Sequence, residues 1–305
     1  MFKKKYLSQV SSLFLISCFV VATSCKSGGG DNSNNLAIDS ADLEQDIFED
    51  ISTAKQIFYS LPSPLESAML IKSSGATFDE KLLNPTGNTS KYTTNKSMAL
   101  NLGAYTTDLS YASLFDQAQI TISYMDASKK MADGLGILDA IDKTTIDRLE
   151  ENINNRDVIL DIISETFMSS TSFLKENERQ ALSSIVMVGG WVEGLYIATQ
   201  LVGDKFSADS KIVERIVDQK LSLDMVMKLL ESNKTNEDVA AIITEMQDLK
   251  ATYDKIIIKS SKIEPVLDEN TKVTTLKSES SSNINESIFV ELRNKVKNIR
   301  TNYTL

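Results

Sequence analysis

Between residues 185 and 198 nearly every side chain is apolar or glycine, and the only ionisable groups are Glu193 and Tyr196. A helix of that composition has no polar face to turn toward water, so other elements must surround it. The run is too short and too interrupted to span a bilayer, which takes about 20 apolar residues. It therefore predicts a central helix, over 176–202, in an all-α domain. Gly190 and Gly194 lie four apart on one face of that helix, where a neighbour can approach closely. Glu193 in such surroundings is expected to hold a raised pKa unless a cation meets it.

Around this centre the apolar periodicity predicts helices over 38–59, 63–75, 95–115, 117–136, 144–167, 211–230, 235–258 and 287–299. The expected fold is an irregular all-α bundle, or stacked helical hairpins, of about eight helices. Ser63, Pro64 and Glu66 form an N-cap, a first-turn proline and the closing residue of a capping box. Thr235 and Asp238 resemble a second box, and the short link between 230 and 235 makes the flanking helices antiparallel neighbours. Residues 76–94 read as a long surface loop, and loops of that length inside a domain are often functional. Residues 259–285 read as a second loop with room for a brief extended piece.

Two polar placements stand out. Ile146, Leu149, Ile153, Leu160, Ile163 and Phe167 form one stripe, and Arg156 occupies the vacant place in it. A charge there must reach water or meet a carboxylate, because an unpaired buried ion is destabilising by several kcal/mol. Glu193 is the expected partner. On the 95–115 helix, Tyr105 and Asp108 sit beside the apolar stripe. Together Tyr105, Asp108, Arg156, Trp191 and Glu193 form either a packing pair with neighbours or the lining of a pocket.

The N-terminus carries a different message. Lys3, Lys4 and Lys5 precede an apolar run of signal-peptide length, which ends in Ala22-Thr23-Ser24-Cys25. Small residues directly before a cysteine resemble the lipobox of bacterial lipoproteins, a family of precursors rather than of folds. The resemblance implies cleavage after Ser24 and acylation of Cys25, with residues 1–24 removed. Residues 25–35, with Gly28-Gly29-Gly30 and no apolar side chain after the cysteine, then read as a flexible tether, and 36–305 as a single domain. Tether and helical body together resemble the all-helical lipoproteins of Bacteroidota envelopes. That implies an outer-membrane location, with periplasm-facing and surface-exposed placements both open.

The same cleavage removes several chemistries. Cys18 leaves with the signal peptide and Cys25 is acylated, so the domain keeps no thiol; the chain has no histidine at all. Serine–histidine triads and histidine-based zinc sites are excluded. Removing the three lysines from 32 basic residues leaves 29 against 42 acids, an acidic surface that argues against nucleic acid as a partner. No cofactor beyond the covalent lipid on Cys25 is called for.

Three functions stay open. The first is an interaction or structural module that holds an envelope protein through exposed helices or the 76–94 loop. The second is a binding lipoprotein for a small polar or glycan-like ligand. The third is a hydrolase in which Glu193 acts as a raised-pKa acid beside Asp108 or Asp157.

Overall fold

The computed structural model describes residues 63–138, 143–260, 264–267, 274–277 and 280–305. All of them fall in the second of two units into which the chain divides, 47–305. The expected signal peptide and tether, Cys25, and the helix expected over 38–59 lie outside the described residues.

Among those residues the protein is an all-α, multi-helix bundle. The helices are α1 (Pro64–Ser73), α2 (Asn95–Leu114), α3 (Ala118–Gly134), α4 (Lys143–Glu151), α5 (Arg156–Glu176), α6 (Gln180–Val202), α7 (Lys211–Glu231), α8 (Glu237–Tyr253) and α9 (Glu286–Thr304). α1 starts as its sequence dictates. Ser63 Oγ accepts the Glu66 N–H, and Glu66 Oε2 accepts the Ser63 N–H at 2.6 Å.

α6 is the central helix, buried from Ser183 through Leu195, but it shares that position with α2. Every residue of α2 from Ala99 to Leu114 is buried, including Thr106, Thr107 and Ser110. Those hydroxyls satisfy themselves on the preceding turn, donating to the carbonyls of Leu102, Gly103 and Thr106. An apolar stripe therefore understates how deeply this helix sits.

The two central helices touch backbone to backbone. A Cβ on Gly103 would collide with the Val186 carbonyl oxygen, and one on Gly189 with the Leu100 carbonyl oxygen. Gly190 faces Gly103 and Pro64, while Gly194 faces Ser67 on α1. The glycine spacing thus serves core packing, and Thr107 Oγ1 bridges the seam to the Gly190 carbonyl at 3.1 Å. α6 is long and apolar enough to cross a membrane, yet most of it is covered by the rest of the bundle.

Several expectations need correction. The helix expected over 144–167 is broken at Asn152–Asn155. Asn152 donates to the Arg148 carbonyl, and Asn155 caps α5 by accepting the Val158 N–H. Asparagine side chains that compete for backbone groups end one helix and start the next. Asn236, not Thr235, caps α8, accepting the Val239 N–H. The second loop is a ribbon: β1 (Ile258–Ser260) pairs antiparallel with β4 (Ser280–Ser282), and β2 (Glu264–Leu267) with β3 (Thr274–Lys277). Pro265 is accommodated because a two-stranded ribbon is all edge. α9 continues one turn and more beyond residue 299.

Candidate functional site

The polar centre of the molecule lies where α2, α6, α9 and the 79–92 segment meet. α6 carries Glu193 into it at 1% exposure, and its partner is Arg300 on α9. Arg300 Nε donates to Glu193 Oε2 at 3.0 Å and Nη2 donates to Oε1 at 3.0 Å, a two-pronged contact. The guanidinium also lies over the Tyr196 ring, 4.6 Å from its centroid, and reaches the Leu82 carbonyl.

Arg156 is not that partner. It opens α5 with its side chain 41% exposed and pairs with Asp157 beside it, Nε to Oδ1 at 3.1 Å. The break at Asn152–Asn155 removed it from the apolar stripe and left it in water. Arg300 escaped the sequence reading because the last helix was ended at residue 299. The signal was present all the same: Arg300 follows Val296 by four and Ile299 by one, so it borders the apolar stripe, as Arg293 does seven residues earlier.

Asp108 sits beside this pair, fully buried on α2. Burial raises its pKa well above the carboxylate range, and the neighbouring Glu193 charge adds to the rise; Arg300 only partly opposes it. Burial also raises the pKa of Glu193, against the pull of the Arg300 charge and its hydrogen bonds. Asp108 Oδ1 finds no hydrogen-bond partner among the described residues, and the same burial favours the protonated form there. The Asp108 Oδ2 accepts the backbone N–H of Asn84 at 3.0 Å.

Asn84 extends the network into the loop. It is fully buried, lying between two short 3₁₀ turns, Glu80–Leu82 and Thr86–Lys91. Its Nδ2 donates to Asn101 Oδ1 at 2.9 Å and to the Tyr92 hydroxyl at 3.1 Å. Tyr92 in turn donates to the Thr304 carbonyl, and Asn101 to the Tyr303 carbonyl, which ties down the end of α9. Tyr105 donates to the Pro85 carbonyl at 3.0 Å. Tyr111 donates to the Thr77 carbonyl and accepts the Asp79 N–H, both at 3.1 Å. The 77–92 segment is thus fastened to α2 along its length and is not a loose surface loop.

The expected pocket residues do not share one cavity. Trp191 faces the other way from Glu193, donates to Gln219 Oε1 at 3.1 Å, and borders a cavity of about 20 Å³ against α1 and α7. Arg156 borders a separate hollow of about 90 Å³ near Asp116. Tyr105, Asp108 and Glu193 do cluster, but inside the protein.

Outside that cluster lies an open cleft of about 680 Å³ between the loop and α3. Its walls include Glu80, Thr86, Gln119, Ile120, Ser123 and Tyr124. Tyr124 is 5% exposed, and its hydroxyl, which forms no hydrogen bond with a described residue, is not among the fully buried atoms left without a partner. Burial raises its pKa, and the nearby Asp108 and Glu193 raise it further, so the phenol is a donor throughout the physiological range. Among the described residues no three His, Cys, Asp or Glu side chains gather where a metal ion could sit.

Comparison with protein-family models, with curated proteins and with solved structures gives no match. The functional reading rests on the geometry and on the sequence features above.

Proposed function

We propose that this chain is a lipid-anchored envelope protein that works as an interaction module, holding a partner at the surface formed by the 77–92 segment and α3. The observation that carries this reading is the fastening of that segment. Hydrogen bonds donated by Tyr105 and Tyr111 and accepted by Asp108 and Asn101 hold an outer loop in one shape on the most deeply buried helix of the bundle. Loops set on a rigid scaffold are where recognition residues concentrate, and ordering them in advance lowers the entropy lost on binding. The hydrolase reading draws less support: Glu193 is engaged with Arg300, Asp108 accepts the Asn84 N–H, and neither lines the cleft.

Two experiments test the proposal. Cys25→Ser is expected to move the protein from the membrane to the soluble fraction; retention in the detergent phase would overturn the anchor. A photoreactive residue at Thr86 or Lys81 is expected to form adducts in the native envelope, while one at Lys228 on α7 does not. Equal yields from both faces would overturn the assigned surface.

A further inference from the structure

We infer that the cleft between the 79–87 segment and α3 is a binding site for a neutral, polyhydroxylated ligand, of the size of a short oligosaccharide. This deepens the interaction reading and rests on it. The volume of about 680 Å³ falls within the roughly 300–1,000 Å³ of small-molecule sites. The walls alternate apolar surface from Pro85 and Ile120 with the hydroxyls of Thr86 and Ser123 and the amide of Gln119.

Charge selects among ligands. Asp79 and Glu80 border the cleft against the single cation Lys81, so an anion meets net repulsion. Asp79 Oδ1 accepts the Lys81 N–H at 3.0 Å and keeps its charge, so the wall stays net acidic. A neutral ligand avoids that repulsion. Hydroxyl groups each offer one donor and two acceptor positions, which matches a wall that holds both acceptors, in Glu80 and Gln119, and donors.

Tyr124 supplies the second, independent observation. The residue is 5% exposed, yet its hydroxyl forms no hydrogen bond with a described residue and is not among the fully buried atoms left without a partner. Tyr124 belongs to the cleft wall, where an acceptor on a bound ligand satisfies it. Tyr105 and Asp108 hold the opposite wall through Pro85 and Asn84, so the two sides are set before anything binds.

The test uses the full lipidated chain in a detergent without a sugar headgroup. Binding is measured by fluorescence anisotropy with labelled neutral trisaccharides of gluco, galacto and manno configuration, a labelled oligogalacturonate and a labelled lysine-rich peptide. Saturable binding of a neutral trisaccharide is expected, weakened roughly tenfold by Gln119→Ala or Tyr124→Phe and unchanged by Lys228→Ala. Tyr124→Phe is also expected to leave the melting temperature unchanged or higher, since it deletes only an unpartnered hydroxyl. Binding of the anionic or cationic probe alone, binding insensitive to both cleft variants, or a fall in melting temperature for Tyr124→Phe each overturns the inference. Adducts from Thr86 without saccharide binding would leave the interaction reading standing and refute only the ligand class.

Discussion

Arg300 on the last helix grips both carboxylate oxygens of Glu193 on the central helix, each at 3.0 Å, across 107 positions of chain. Arg300 is 13% exposed and Glu193 1%, so water does little to screen either charge. The contact joins the C-terminal helix to the centre of the bundle, and Asp108 leans on it from a third helix.

Removing one member strands the other. Glu193→Met and Arg300→Met are each expected to destabilise the fold by about 3–5 kcal/mol. The pair Glu193→Met with Arg300→Met should recover a large part of that loss, because replacing both charges with apolar groups leaves no uncompensated ion. Urea unfolding of the four proteins measures this; additive losses in the double variant would show that the two groups are not coupled.

Arg156→Met provides the contrast. Its exposed pair with Asp157 lies at a helix start in water, and a change within about 0.5 kcal/mol is expected. A loss of several kcal/mol would place Arg156 back inside the bundle.

Asp108 gives the fold a pH dependence. Its folded pKa is raised well above the unfolded value of 3.8, so the native state binds the proton more tightly than the unfolded chain. Its contribution to stability is fully present below that unfolded value and is lost as pH rises toward and through the folded one, by about 1.4 kcal/mol per pH unit across the window. Asp108→Asn keeps an acceptor for the Asn84 N–H and a donor for Glu193, and cannot ionise. Melting temperatures from pH 4 to 9 should therefore fall more steeply in the native protein than in Asp108→Asn, with the variant equal or more stable at neutral pH. Parallel profiles would mean that Asp108 is ionised in the fold.

The glycines of α2 and α6 should tolerate no side chain. Gly189→Ala directs a methyl at the Leu100 backbone, which cannot move aside as a flexible side chain could, and a loss of about 3 kcal/mol or more is expected despite the better helix propensity of alanine. Gly87→Ala meets nothing within 4 Å and should change stability by less than about 0.5 kcal/mol. Chemical denaturation of both distinguishes backbone contact from ordinary packing.

The ribbon should be separable from the bundle. Among the described residues β2 pairs only with β3, so replacing 264–277 with a short glycine–serine turn is expected to leave the stability within about 1 kcal/mol of the original. A larger loss would mean that these strands pack on the helices.

The sequence by itself determined the helical class, the centrality of the 185–198 run and the start of α1 at Ser63. Each of those follows from short-range rules: a helix without a polar face must be enclosed, and a serine three residues before a glutamate closes its own cap. It also singled out Glu193 as an acid in apolar surroundings and placed Asp108 beside the stripe of its helix. Only the tertiary structure decided which cation answers them. Arg156 had the right character in the sequence and the wrong place, because four residues of asparagine-rich chain turned it into solvent. Arg300 had the right place and stood one residue beyond the end assigned to its helix. The burial of α2 was hidden for a related reason, since its threonines and serines look polar in sequence but spend their hydroxyls on their own backbone. Periodicity reports which face of a helix is apolar. Which charges meet inside a bundle depends on how helices far apart in sequence cross, and here that crossing is set by Gly103 and Gly189 letting two backbones come into contact.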